Sequence, residues 1–218
     1  TMPSCSNLGI TNSISLSGAN TLRAGEISRE LVSAGADSLI SIGLAGGLDP
    51  RLGPGSVIVA ERVLSWRQPF PTASRRSPLQ GLGSVFRQEF SSTPEKEKAT
   101  PDAQFETDPD LRTQLLALLG DKAWSGSIVG VDRAVTRPAE KLSLYAQTQG
   151  LACDMESHAV AEAAKAAGIP FLVIRVVSDP SNRSIPQSAL AGITPAGRTS
   201  PGRVLRSLSL RPWELFEL

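Results

Sequence analysis

The chain has 218 residues, 40% of them hydrophobic, and is therefore long enough to form one sizeable core. Lys and Arg number 22 against 21 Asp and Glu, and the resulting net charge of +1 gives no reason to expect a nucleic-acid partner. The one histidine, His158, excludes sites built from several histidines, and we expect no bound metal.

The two cysteines, Cys5 and Cys153, lie far apart, and the chain shows no signal-peptide pattern. These features indicate a reducing cytoplasm rather than a disulfide framework. No apolar run approaches the roughly 18 residues that span a bilayer. We expect residues 1–218 to form a single domain.

The first predicted elements are a helix over residues 20–35, with Asn20 as N-cap, and a short apolar strand over 38–43. The strand is nearly continuous in apolar residues, which predicts that helices cover both of its faces. A glycine-rich turn at 43–47 then allows a ligand to approach the backbone, and a second strand follows at 56–63.

Residues 67–104 interrupt this organisation. Pro, Ser, Arg, Lys and Glu replace the apolar periodicity, and no helix or strand of useful length is predicted there. We expect a flexible, solvated insertion.

Order resumes at Asp108 and Pro109, which predict a helix start. The remaining predicted elements, in chain order, are a helix to Gly120, a strand at 127–131, a helix capped by Thr136 or a neighbour and ending at Gln149, a helix at 155–167 and a strand at 171–178. The alternation of strands and helices predicts an α/β fold with a mixed, mainly parallel central sheet flanked by helices.

Two carboxylates stand at the ends of the last helix–strand unit. Glu156 lies at the mouth of the predicted helix, and Asp179 comes just after the most β-prone strand of the chain. Ligand sites of open α/β sheets lie beyond the carboxyl ends of the strands, so both acids are expected to face one cleft. Each acid also has an ordinary interpretation, because Asp179 precedes a proline in a turn and Glu156 can complement a helix dipole.

Neighbouring residues in this unit have simpler interpretations. Asp154 is expected to be a helix N-terminal acid, and Cys153 a packed thiol. His158 points about 200° away from Glu156 on the helix, which favours a structural role.

Five sequence blocks carry a family resemblance, and they are residues 43–50, 130–132, 136–141, 154–159 and 175–180. They resemble the nucleoside phosphorylase and nucleosidase superfamily, which includes purine nucleoside phosphorylase and methylthioadenosine nucleosidase. The resemblance is nearest to the hopanoid-associated phosphorylases. Together they imply a homo-oligomeric enzyme without a cofactor, for which phosphate is a co-substrate.

The resemblance implies roles for residues at the cleft. Asp179 would protonate N7 of a departing purine, Ser178 would orient it, and Glu156 would accept hydrogen bonds from ribose hydroxyls. Such a proton is needed because negative charge builds on the base as the glycosidic bond breaks. We expect partial burial to favour the protonated carboxyl of Asp179. Further contacts are implied for Met155 with the sugar, Leu44 and Ala45 along the nucleoside, and Ala134 and Val135 around the base.

A phosphate site is expected at the turn before the first helix, formed by Ser17 and Gly18 with Arg23 one turn away. Residues 1–12 contain no glutamate to activate water, which favours phosphorolysis over hydrolysis.

The sequence therefore predicts cleavage of an adenine nucleoside, and by resemblance an adenosyl-linked hopanoid. The alternatives are a hydrolytic methylthioadenosine or adenosylhomocysteine nucleosidase and a catalytically silent nucleoside-binding or assembly subunit. The apolar end at 208–218 could touch a membrane surface, although packing on the core or on a partner subunit is favoured.

Overall fold

The computed structural model describes residues 12–67 and 100–185. The elements are α1 (Thr21–Ser33), β1 (Leu39–Gly47), β2 (Val57–Trp66), β3 (Ala103–Glu106), α2 (Pro109–Leu119), a short 3-10 helix (Gly120–Lys122), β4 (Ala123–Val131), α3 (Pro138–Thr148), β5 (Ala152–Asp154), α4 (Ser157–Ala167) and β6 (Phe171–Asp179). The predicted apolar end at 208–218 and most of the predicted insertion lie outside the described residues.

Local capping explains where the first two helices begin. Asn20 accepts a hydrogen bond from the backbone N–H of Arg23 at 3.0 Å, as predicted for the N-cap of α1. Asp108 caps α2 in the same way, and Pro109 occupies the first turn. The N-cap position of α3 is held by Arg137, the neighbour of Thr136, so the predicted location is right, but the Arg137 side chain makes no capping hydrogen bond.

The six strands form one mixed sheet in the order β3-β2-β4-β5-β1-β6, with an additional pairing between β2 and β6. That extra pairing closes five of the strands into a ring, so the sheet is not open at both sides as the sequence suggested. The long pairings of β1 with β6 and of β2 with β4 are parallel, whereas β2 pairs with β6 and β3 in antiparallel fashion. The predicted α/β class with a mixed, mainly parallel sheet is confirmed.

Strand β1 differs from its prediction in two ways. It continues through Gly47, so the glycine run is part of the strand and not a turn after it. Helices do not cover both faces within the described parts of the chain, because Ile40, Ile42 and Leu44 are exposed. The predicted insertion also ends earlier than expected, since Ala103 and Gln104 belong to β3.

Two apolar clusters hold the sheet and helices together. One packs α1 and α4 against the sheet, and the other packs Leu144 of α3 against Trp66 of β2 and Val129 of β4. Burial of such side chains contributes about 1.5–3 kcal/mol each. Within residues 12–67 and 100–185, no helix is long and apolar enough to cross a membrane.

Candidate active site

A cavity of about 430 Å³ opens between the end of β6, the segment before α1 and the start of α4. The predicted site residues that line it are Ser17, Gly18, Leu44, Ala45, Ala134, Val135, Met155, Glu156, Ser178 and Asp179. Arg23 is exposed on α1 and is not among the lining residues. The two carboxylates predicted to face one cleft therefore do so.

A bulge in β6 brings two consecutive side chains to this cavity. Ala45 of β1 pairs with Val177, whereas the next residue, Gly46, pairs with Asp179, so Ser178 is the extra residue. Successive side chains of a regular strand point to opposite faces, and a bulge interrupts that alternation. Ser178 and Asp179 consequently both line the cavity.

Both carboxylate oxygens of Asp179 have partners. The Ser178 hydroxyl lies 2.7 Å from Oδ1, and the ammonium of Lys141 lies 2.5 Å from Oδ2. Gly46 makes the close approach possible, since a Cβ at that position would lie 3.1 Å from Oδ2. The Asp179 side chain is partly buried, as expected, and it lies against a buried cation.

The Ser178 hydroxyl also lies 3.2 Å from the backbone oxygen of Ala45. It can donate its proton to an ionised Asp179. When Asp179 is protonated, the same hydroxyl can accept from the carboxyl and donate to Ala45. Ser178 can therefore hydrogen-bond Asp179 in both protonation states.

Glu156 occupies the N-cap position of α4, before the first turn in which the sequence placed it. Burial raises the pKa of Glu156 and the nearby Asp154 carboxylate raises it further, while the Arg175 guanidinium and a hydrogen bond from the Ala19 N–H oppose the shift. Ala19 donates from a left-handed backbone conformation, with φ of 50°.

A buried ion pair supports this side of the cavity. Asp154 pairs with Nε of Arg175, and both side chains are almost fully buried. The Asp154 carboxylate also accepts the backbone N–H groups of Glu156 and Ser157, at 3.3 and 3.0 Å, and so serves as the predicted acid of the helix N-terminus. This network fixes the turn that carries Glu156.

The guanidinium of Arg175 uses all five of its N–H donors. Its acceptors, besides Asp154, are the backbone oxygens of Ser41 and Ile174 and the hydroxyls of Ser41 and Ser157. A guanidinium has no further donor to offer. Arg175 lines the cavity, but all of its N–H groups already donate to acceptors within the protein.

Two exposed arginines, one on each side of the cavity-lining residues Ala134 and Val135, share one carboxylate. Arg137 and Arg133 lie 2.8 and 3.4 Å from Oε1 of Glu140. Burial opposes ionisation of Glu140, but the hydrogen bond from Arg137 and the two guanidinium charges hold its pKa below the usual value. Both guanidinium groups contact Oε1, whereas Oε2 of Glu140 is buried without a hydrogen-bond partner among the described residues.

His158 and Cys153 have the structural surroundings that the sequence predicted. His158 is fully buried, and its Nε2 lies 3.0 Å from Oδ1 of Asp132. Cys153 is buried, and burial raises the pKa of its thiol far above the usual value. Among the described residues no cluster of His, Cys, Asp and Glu could hold a metal ion.

Sequence reasoning missed Lys141 and Arg175 as residues of the site. Lys141 had one usable signal: it shares a helix face with Leu144, a fully buried leucine one turn later. A lysine on the buried face of a helix indicates an internal partner, since ammonium groups are rarely buried unpaired.

Residues 14–197 match the model of the family described as the phosphorylase superfamily. The chain belongs to this superfamily. Among curated relatives, 5'-methylthioadenosine/S-adenosylhomocysteine nucleosidases of Staphylococcus saprophyticus and Mycobacterium bovis are 27% and 28% identical over 147 and 152 residues, or 66% of this chain. The aligned region spans 57% and 60% of those relatives' own lengths.

Solved structures of nucleosidases share the fold. The 5'-methylthioadenosine/S-adenosylhomocysteine nucleosidase of Helicobacter pylori, in complex with butyl-thio-DADMe-Immucillin-A, matches with a TM-score of 0.59 and 19% identity over 89% of this chain and 78% of that chain. The S-adenosylhomocysteine nucleosidase of Streptococcus pyogenes matches with a TM-score of 0.56 and 24% identity. The match covers 76% of this chain and 65% of that chain. These relatives are nucleosidases, and they do not support the predicted hopanoid substrate.

Proposed function

We propose that this superfamily member cleaves the N-glycosidic bond of an adenine nucleoside with water, as a nucleosidase of methylthioadenosine or adenosylhomocysteine type. The observation that carries the proposal is that Glu156 and Asp179 line one cavity of about 430 Å³. In this proposal Glu156 accepts hydrogen bonds from the sugar hydroxyls, and Asp179 transfers a proton to the purine as the bond breaks.

The charges around the cavity favour water over phosphate as the second reactant. Among the described residues, Arg175 is the one cation lining the cavity, and its donors are all used within the protein. At the turn before α1, the Ala19 N–H already serves the Glu156 carboxylate. A phosphate there would meet a like charge, and within residues 12–67 and 100–185 no guanidinium of the cavity lining has an unused donor to offset it.

Phosphorolysis is the second candidate, because Ser17 and Gly18 line the cavity beside the N-terminus of α1. Backbone N–H groups at a helix start can bind an anion. Arg23 stays a predicted phosphate ligand, although it lies outside the cavity lining.

Exposed apolar side chains at the cavity suggest which nucleosides fit. Leu16, Ile42 and Leu44 line it and remain largely exposed, so an apolar 5' substituent on the ribose would find contacts there. This favours methylthioadenosine over unmodified adenosine.

The test is release of adenine from methylthioadenosine, adenosylhomocysteine and adenosine, with and without inorganic phosphate, followed by mass spectrometry of the sugar product. Hydrolysis predicts free adenine and an unphosphorylated ribose at equal rates in both buffers. A ribose 1-phosphate product would establish phosphorolysis instead. Nucleoside binding by calorimetry without any adenine release would establish a silent binding protein.

A further inference from the structure

Lys141 is fully buried, and its ammonium group has three oxygen neighbours. These are Oδ2 of Asp179 at 2.5 Å and the backbone oxygens of Pro180 and Arg183 at 2.8 and 3.0 Å. An ammonium has three N–H donors, so each has an acceptor. The ammonium thus holds both the Asp179 carboxylate and the segment that follows it.

Asp179 lies between this ammonium and the cavity and contacts both. Its side chain is 15% exposed, whereas Lys141 is 0% exposed and is not among the cavity-lining residues. A buried ammonium is costly unless it is paired, and Asp179 is the one carboxylate that it contacts among the described residues. If Asp179 loses its negative charge during a reaction, the buried ammonium of Lys141 therefore loses the charge that compensates it.

We propose that Lys141 is a positioning residue that acts through Asp179 and supplies the proton that the departing base receives. This inference rests on the proposed glycosidic cleavage. The Lys141 ammonium and Oδ2 of Asp179 are in direct contact at 2.5 Å, which is the distance over which the proton would pass.

As the bond between the sugar and the purine breaks, its electron pair stays on the purine. An N–H bond of Lys141 breaks as an O–H bond forms on Asp179, and that O–H bond breaks in turn as Asp179 passes the proton to the purine nitrogen. Lys141 is left as a neutral amine and Asp179 as a carboxylate. The oxygen of a water molecule bonds to the sugar carbon, and the proton that this water releases returns to Lys141 through Asp179.

The experiment compares two leaving groups in wild type and in Lys141→Met. Methylthioadenosine needs a proton on its departing base, whereas the 4-nitrophenyl riboside releases a stable phenolate without one. We expect Lys141→Met to slow methylthioadenosine cleavage at least about tenfold, in line with general acid catalysis, and to change nitrophenyl riboside cleavage less than about twofold. Lys122→Met, at an exposed lysine, is the matched control and should change neither rate.

The outcomes separate this inference from the proposed function. Wild type that releases no adenine overturns the proposed function and the inference together. If the wild type is active and Lys141→Met slows the cleavage of both substrates equally, the proton-supply role alone is overturned.

A second variant keeps the test decisive if Lys141→Met proves unstable in thermal unfolding. Because Lys141 acts through Asp179, the double variant Lys141→Met/Asp179→Asn should cleave methylthioadenosine no more slowly than Asp179→Asn alone. An additional loss in the double variant, at temperatures where both remain folded, would contradict the inference.

Discussion

Asp179 and Glu156 are carboxylates of one cavity with opposite surroundings. Asp179 contacts a buried ammonium and a hydroxyl, so its charge is balanced by protein. Glu156 is partly buried beside another carboxylate, and the pKa of Glu156 is raised as a result. Under the proposed function this difference assigns the two carboxylates different roles: Asp179 exchanges a proton with Lys141 and the base, whereas Glu156 accepts hydrogen bonds from the sugar.

The largest expected effect comes from Asp179→Asn, which removes the exchangeable proton but keeps the shape. Turnover of an adenine nucleoside should fall by about 10²- to 10⁴-fold with a small change in KM, since the proton matters mainly as the bond breaks. Steady-state kinetics of adenine release measure both constants, and Asp121→Asn at an exposed site is the control. Unchanged turnover would remove Asp179 from the chemistry.

Glu156→Ala should act on binding and turnover together. Losing the sugar contacts is expected to cost about 1–3 kcal/mol, or roughly 5- to 150-fold in kcat/KM. The control is Glu30→Ala on the exposed side of α1. If nucleoside affinity by calorimetry and the kinetics both match wild type, the sugar lies elsewhere.

The pH dependence should distinguish the two carboxylates further. A sugar that binds ionised Glu156 loses an acceptor as pH falls through the raised pKa, so nucleoside affinity should decrease towards acidic pH. Stability has the opposite sign, because a group with a raised folded pKa stabilises the fold at low pH and loses that contribution as pH rises. Calorimetric titrations of wild type and Glu156→Gln at several pH values check this, and the variant should give the flatter profile.

The smallest effect is expected from Gly46→Ala, which disturbs only the Asp179 side. The new Cβ would lie 3.1 Å from Oδ2 of Asp179, and a displacement of a few tenths of an ångström should lower turnover by about threefold. Gly53→Ala, where a Cβ meets nothing within 4 Å, is the control. Equal losses of affinity and turnover in the kinetics would show that Glu156 had moved as well.

Local signals predicted much of this fold because they depend on near neighbours. Asn20, Asp108 and Pro109 marked helix starts that the structure contains. The glycine run at 43–47 was misleading, since glycine also occurs in strands where another chain segment approaches closely. There the Asp179 carboxylate and Val177 approach the strand.

The site was predictable as a group of residues but not as a set of contacts. Asp179 was predicted to lie just after a strand and is the last residue of β6, and either position puts it at the strand end where the cavity lies. Nothing in the local sequence linked it to Lys141, because the two lie 38 residues apart and meet only through tertiary packing. The closed ring was likewise unpredictable, since it depends on a long-range pairing of β2 with β6.

The single extra residue, Ser178, decides which side of the sheet carries Asp179, the last residue of β6. If the two-residue repeat continued regularly through Ser178, Asp179 would share the side of Val177 and face away from the cavity. A one-residue irregularity in the pairing therefore decides whether this carboxylate is presented to the cavity, and a variant that keeps every residue of β6 but pairs it regularly with β1 would lose that presentation.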